Sequence, residues 1–392
     1  MRMETIKGEL ANFAHLKELK PILSSEGPCI SLYVPMSSLP NSQGANANAL
    51  KWKECIRSLQ QKLAQHGAQA RELAETISDW DSVAGGIKPE GKSIGVFRSP
   101  DVFRVTWLDK EVATQAVIGP RFYIRPLLAE LVKAKMFYLL ALSQKDIRLL
   151  CCTTSRSEEV ALSTRGVVTS FEQYMDSAKP DHTQNLGASA GPSSGSSKGV
   201  FNGTGTEKED RDKYLLHFYK QIDRGVNELL RGKTAPLVLA GVDYELSLYR
   251  DINSYPNLSA EAARGAPNGL KAGEMHARAI EALDREYHRK LDDALATYDH
   301  KVGGGATNRL RDIVTAVRDG RVLTLFVSDS LGQTGSFDES TYSMKGRETG
   351  SAEDEDLVNA AVVQAILHAG QVFVVPNSKM PNGAPVAATY RF

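Results

Sequence analysis

Two glycine-bearing stretches hold the residue types that could do chemistry. The first, DHTQNLGASAGPSSGSSKGVFNGTGTEKED (181–210), contains His182 and Gln184 just ahead of a run of small residues. Ester hydrolysis needs a positioned water and donors aimed at a developing oxyanion, and glycines let a backbone amide come close to that centre. His182 is a candidate proton donor and Gln184 a candidate for holding the water, but Gln184 follows Thr183 rather than glycine. A single histidine in a Ser/Gly loop is equally an ordinary polar residue. Gly, Ser, Ala and Asn dominate 185–205, the composition of a flexible tether that cannot pack a core. On composition alone the segment reads as an inert, variable insertion, Asn185 and Lys198 included.

The second stretch is KVGGGATNRLRD (301–312), three glycines ahead of a helix, an arrangement that can cradle a phosphate at the helix N-terminus. No G-x-x-x-x-G-K-[ST] pattern occurs anywhere, and Thr307 and Asn308 are ordinary capping residues, so a plain turn is expected and nucleotide hydrolysis is not. The four cysteines, Cys29, Cys55, Cys151 and Cys152, lack the spacing of a zinc site or a disulfide framework. Neither a metal nor another cofactor is expected.

A further set of candidates is basic. In NALKWKECIRSLQQKL, Trp52, Ile56, Leu59 and Leu63 recur at spacings of four, three and four, which predicts a helix with one buried face. Lys51, Lys53, Arg57 and Lys62 fall mostly off that face and are candidates for RNA phosphates, or else simply for a solvated surface. Lys plus Arg and Asp plus Glu each total 47, so no global field announces a nucleic-acid partner, and any RNA contact must be local. No DNA partner is expected.

The elements that must position these residues alternate. CISLYVP (29–35) reads as a buried strand, after a first helix closed by Pro21. A second helix near 68–80 precedes two strands in GGIKPEGKSIGVFRSPDVFRVTWL, and 118–134 carries a connection and a short helix. KMFYLLALSQKDIRLLCCT predicts a hairpin. After the long loop, Thr206 is placed to cap a helix whose buried stripe is Leu215, Phe218, Ile222, Val226 and Leu229, and 235–249 reads as a strand and turn. A charged helix at 272–298 and a helix at 307–319 lead to RVLTLFVSD (321–329), the clearest buried strand. EDEDLVNAAVVQAILHAG follows with an acidic start and a glycine stop, then the strands QVFVVP and VAATYRF. The acids at 353–356 favour their helix dipole, or meet a partner protein.

This pattern predicts an α/β chain of three consecutive domains, each a mixed sheet with flanking helices: 1–133, 134–255 with the long loop at 176–206, and 256–392. The N-terminus has no secretory pattern and no run of about eighteen apolar residues could span a bilayer, so a cytoplasmic protein without a membrane partner is expected.

Three stretches in this order resemble the archaeal and eukaryotic class-I release factor and Pelota family, specifically its divergent bacterial relatives. CISLYVP with the basic helix resembles the opening strand and decoding-centre helix of that family. MFYLLALSQKDIRLL, the loop, a charged helix and APLVLAGVDYE resemble its middle domain. GRVLTLFVSD and GQVFVVPNSKMPNGAPVAATYRF resemble its C-terminal domain. The resemblance implies a factor shaped like transfer RNA that enters the ribosomal A site and reaches from the decoding centre to the peptidyl-transferase centre. Its partners would be the ribosomal RNA there and a translational GTPase. In true release factors the middle-domain loop carries Gly-Gly-Gln, which this loop lacks. The resemblance therefore implies that the loop occupies the site without reacting, with Asn185 and Lys198 as candidate RNA contacts, in hibernation, stalling or rescue, the alternative being a peptidyl-tRNA hydrolase acting through Gln184 and His182.

Overall fold

The computed structural model describes residues 9–10, 19–25, 27–37, 42–80, 83, 91–132, 136–162, 166–178, 206–338, 343–346 and 355–392. Two compact units result: residues 1–135 together with 290–392, and residues 136–289.

The first part of the first unit is a sheet of β1 (Glu9–Leu10), β2 (Cys29–Pro35), β3 (Ser93–Arg98), β4 (Phe103–Leu108) and β5 (Gln115–Gly119), ordered β1-β4-β3-β2-β5. All its pairings are antiparallel except β1 with β4. Strand β2 is apolar on both faces because both are covered. Ile30, Leu32 and Val34 pack with Trp52, Cys55, Ile56, Leu59 and Leu73 of the helices Ser42–Leu63 and Ala68–Glu75. One residue out of phase, Cys29 and Tyr33 join Phe97, Phe122 and Leu127 in a different core. Pro21 does not close a helix here: it sits in the first turn of Lys20–Leu23, where its missing N–H leaves no intrahelical bond unmade.

The second unit is a sheet of β6 (Met136–Ala141), β7 (Arg148–Thr153), β8 (Ser157–Val160), β9 (Leu237–Gly241) and β10 (Leu258–Arg264), ordered β10-β9-β6-β7-β8. β6, β9 and β10 run parallel, and the β6–β7–β8 meander is antiparallel. The helices Phe171–Ala178, Thr206–Leu229 and Asp243–Ile252 bury Phe171, Phe218, Ile222, Leu246 and Tyr249 against one face. Met275, Ala279 and Ala282, from the N-terminal half of the Ala272–Lys301 helix, cover the other. The expected turn after β9 is instead a helix, which Asp243 and Glu245 favour in its first turn and Leu246 and Tyr249 anchor. Strand β10 was not expected, since LSAEAAR has little β-propensity; its pairing with β9 places it. The expected boundary at 255/256 falls inside this unit.

The remainder of the first unit holds β11 (Ala306–Thr307), β12 (Val322–Ser328), β13 (Thr334–Asp338), β14 (Ser343–Gly346), β15 (Glu355–Asp356), β16 (Gln371–Val375) and β17 (Val386–Tyr390). They form a mixed sheet β11-β17-β12-β16 and a small antiparallel sheet β14-β13-β15. The α/β class, with three mixed sheets and flanking helices, is as expected from the sequence. The helix Leu357–Leu367 is apolar except for Asn359 and Gln364 and accordingly buried, Asn359 included, with Gln364 and Leu367 half-buried near its end. It stops with Gly370 N–H bonded to Ala365 O and Ala369 N–H to Ile366 O, and the left-handed residue is Ala369 (φ 56°) rather than the expected glycine.

This helix and Leu310–Arg318 share one core with Leu19, Ile22, Tyr33, Phe97 and Phe122. Residues 121–125 run along the seam. Ser31 Oγ accepts from Tyr123 N (2.9 Å) and Tyr33 OH donates to Tyr123 O (2.6 Å). From the other side, buried Asn359 accepts from Ile124 N (2.8 Å) and donates to Phe122 O (2.9 Å). Replacing Asn359 with Leu would leave a buried N–H and a buried C=O without partners, at about 1–3 kcal/mol for each group. We expect N359L to lower the stability of this unit by about 3 kcal/mol in urea unfolding, with the protection of amides 122–124 against hydrogen exchange falling in parallel.

Candidate nucleic-acid interface

The basic helix Ser42–Leu63 forms as its period dictates. Trp52 is fully buried, donates Nε1–H to Ser78 O (3.3 Å) and lies 5.4 Å from the ring of Trp80, so it is a core residue and not a platform for bases. The four candidate cations do not form one patch. At about 100° per residue, Lys51 and Lys62 lie about 20° apart on one flank of the apolar stripe, and Lys53 and Arg57 about 40° apart on the other. Lys62 is exposed, yet its ammonium donates to Ala116 O of β5 (2.6 Å), which ties the helix end to the sheet edge. Lys51 is half-buried. Lys53 and Arg57, both exposed and one turn apart, are the pair this helix presents to solvent.

His182, Gln184, Asn185 and Lys198 lie outside the described residues. The glycine cluster 303–305 ends a helix and enters an edge strand. The amides of Gly304 and Gly305 both turn to Lys301 O (3.3 and 2.9 Å), and Gly305 O accepts from Tyr390 N (2.8 Å). Two of the three glycine amides that a phosphate would need are therefore spent within the fold. Among the described residues, no group of three or more His, Cys, Asp or Glu side chains is placed to hold a metal, and no helix is long and apolar enough to cross a membrane.

Of the acids at 353–356, Glu353 and Asp354 lie outside the described residues, and Glu355 and Asp356 meet Arg121 and Arg125. Asp356 caps its helix through Val358 N (2.9 Å) and Asn359 N (3.2 Å), and its other oxygen accepts from Arg125 Nη1 (2.8 Å). Arg125 Nη2 also donates to Ser328 O (3.2 Å) and Leu331 O (2.5 Å). Arg121 pairs with Glu355 at 2.6 Å. In the sequence the only hint is a pair of arginines four apart bracketing the apolar stretch FYI, since their partners lie more than 200 residues away.

Burial fixes the thiols. It pushes Cys29, Cys55 and Cys152 up to about 12, and the nearby Asp101 adds to the shift at Cys29 while Lys62 opposes it at Cys55. Cys151, half-buried, is raised by burial and by Glu158. None is a thiolate nucleophile at neutral pH.

Residues 136–321 match the family model described as "Bacterial archaeo-eukaryotic release factor family 3". Over this stretch the chain is similar to that family model, in agreement with the resemblance read from the sequence. No curated protein matches. Among solved structures, the chain aligns with the archaeal translation termination factor aRF1 at 15% identity, over 96% of each chain, with a TM-score of 0.23. It aligns with S. cerevisiae Dom34, a translation termination-like factor, at 13% identity over 80% of this chain and 76% of that one, with a TM-score of 0.39. The corresponding values for Archaeoglobus fulgidus Pelota are 10%, 99% and 94%, and 0.28.

Titration of the native protein with Ellman's reagent at mildly alkaline pH is expected to label Cys151 first. Cys29, Cys55 and Cys152 should react only on unfolding, and early labelling of any of them would show that its core opens in the native state.

Proposed function

We propose that this protein is a ribosome-associated factor of the release-factor class that fills the A site in place of transfer RNA, acting in hibernation, stalling or rescue of translation. The first region faces the decoding centre and the second unit faces the peptidyl-transferase centre. The observation that carries this reading is the match of residues 136–321 to a release-factor family model, within an α/β chain of three mixed sheets. The action is occupancy rather than ester hydrolysis, because the sequence of residues 176–206 lacks Gly-Gly-Gln. Such a factor works in the cytoplasm, and a translational GTPase is its natural delivery partner. Lys53 and Arg57 are the contacts that the basic helix offers to phosphates, with Lys51 on the opposite flank.

The test is sedimentation of the purified chain with bacterial ribosomes through sucrose at increasing salt, together with a peptide-release assay on loaded ribosomes. Co-sedimentation that weakens with salt, and no release above buffer, are expected. Replacing Lys53 and Arg57 with Gln should make the dependence of log affinity on log salt shallower by about 1 to 2, the loss of one or two phosphate contacts. A chain that ignores ribosomes at low salt would overturn the reading. Peptide release that disappears on replacing His182 and Gln184 with Ala would replace occupancy with hydrolysis.

A further inference from the structure

The Thr206–Leu229 helix has a second regularity besides its buried stripe. Lys213, His217, Lys220 and Arg224 recur at spacings of four, three and four, and all four are exposed. Leu215, Phe218, Tyr219, Ile222 and Val226 point the opposite way, into the core. From Lys213 to Arg224 the line runs about 16 Å at 1.5 Å per residue, the axial length of about five stacked nucleotides at 3.4 Å each. Just past the helix, Arg231 and Lys233 continue it. With Arg224, Asn227, Gly232 and Ser254 they line an open cavity of about 430 Å³.

The cavity floor is held rigidly. Buried Asp223 accepts from Ser254 Oγ (2.6 Å), Asn227 Nδ2 (3.1 Å) and Tyr249 OH (3.2 Å), so its charge is turned inward. Glu228 is the acid at the rim. Several other cations of this unit have carboxylate partners, Arg148 with Glu159, Arg264 with Asp243, and Arg285 and Arg289 with Glu261, whereas Lys145, Arg156, Lys271 and Arg278 are exposed singly along the chain. None of Lys220, Arg224, Arg231 and Lys233 is ion-paired with a described carboxylate. In a chain whose charges sum to zero, this line of cations, with Glu228 as the acid at its rim, makes a locally positive field that ends in a polar cavity. No large apolar side chain is exposed along the line, as insertion into a lipid surface or anchoring of a peptide would require.

We infer that this face of the helix, from Lys213 through Lys220 and Arg224 to the cavity at Arg231 and Lys233, binds the phosphate backbone of an RNA strand. The inference deepens the proposed function by giving the second unit its own RNA-contacting face. It does not depend on the basic helix of the first unit.

The experiment measures binding of a fluorescently labelled single-stranded RNA of about 20 nucleotides by anisotropy, from about 0.05 to 0.3 M salt. It compares the full chain with the variant K220Q/R224Q/R231Q/K233Q and with K53Q/R57Q. The substituted side chains are exposed, so thermal unfolding should be unchanged. The quadruple variant should lose about tenfold or more in affinity at about 0.1 M salt, and its salt slope should become shallower by about 3, at about 0.7 per contact on a single strand. An unchanged affinity and slope, or no RNA binding by the parent chain at the lowest salt, overturns the inference. A DNA strand of the same length bound as tightly would confirm backbone readout, since phosphates carry no base information. The two proposals fail separately. Loss of RNA binding in the quadruple variant of a chain that never sediments with ribosomes upholds the RNA face and rejects the A-site reading. Full ribosome binding by the quadruple variant with unaltered RNA affinity does the reverse.

Discussion

Much of the first unit depends on how residues 121–125 are held. This short segment has backbone groups that neither sheet can pair, because it lies between them, and unpaired groups at that depth would cost about 1–3 kcal/mol each. Three side chains take over the ladder's role: Ser31 and Tyr33 from β2, and Asn359 from the buried helix, each bonded to the backbone of this segment. Arg125 closes the arrangement by bonding at once to the carboxylate that caps that helix and to the carbonyls of Ser328 and Leu331. Removing one partner exposes the others to an unsatisfied environment, so these bonds act as a group.

This constraint explains why an apolar helix contains an asparagine and why a proline follows Arg125. Asn359 is the side chain that offers both a donor and an acceptor at that depth. Pro126 occupies the first turn of Arg125–Leu131, where a missing N–H has no consequence. Glu355 and Asp356 are likewise committed inward, to the helix start and to the two arginines.

Period and apolar runs made most of the elements legible in the sequence. β2, the β3–β4 pair, the β6–β7 hairpin, β9, β12, β16, β17 and the long helices are all strongly patterned, and each lies where its residues suggested. Of the misses, β10 is built largely from small residues whose state is decided by the strand it pairs with, and the helix after β9 is short, with Leu246 and Tyr249 anchored in the core. Function was less legible. The cations of the first helix looked like one patch when read along the chain, but they divide around its axis and Lys62 is bonded to the sheet. The outer face of the Thr206–Leu229 helix escaped notice because the apolar stripe that defines it draws attention to the opposite side.

The bond between Ile124 and Asn359 spans 235 positions, and between them lies the whole second unit, a contiguous insert with a sheet and cores of its own. During synthesis at about 5–20 residues per second, roughly 10–50 s separate the appearance of these two residues. The inserted unit can finish folding within that interval, whereas the inner face of the first sheet must wait for a helix not yet made. The earliest part of the chain is thus the last to be completed, and through that delay Tyr33, Phe97 and Phe122 are the surface a nascent-chain chaperone would meet.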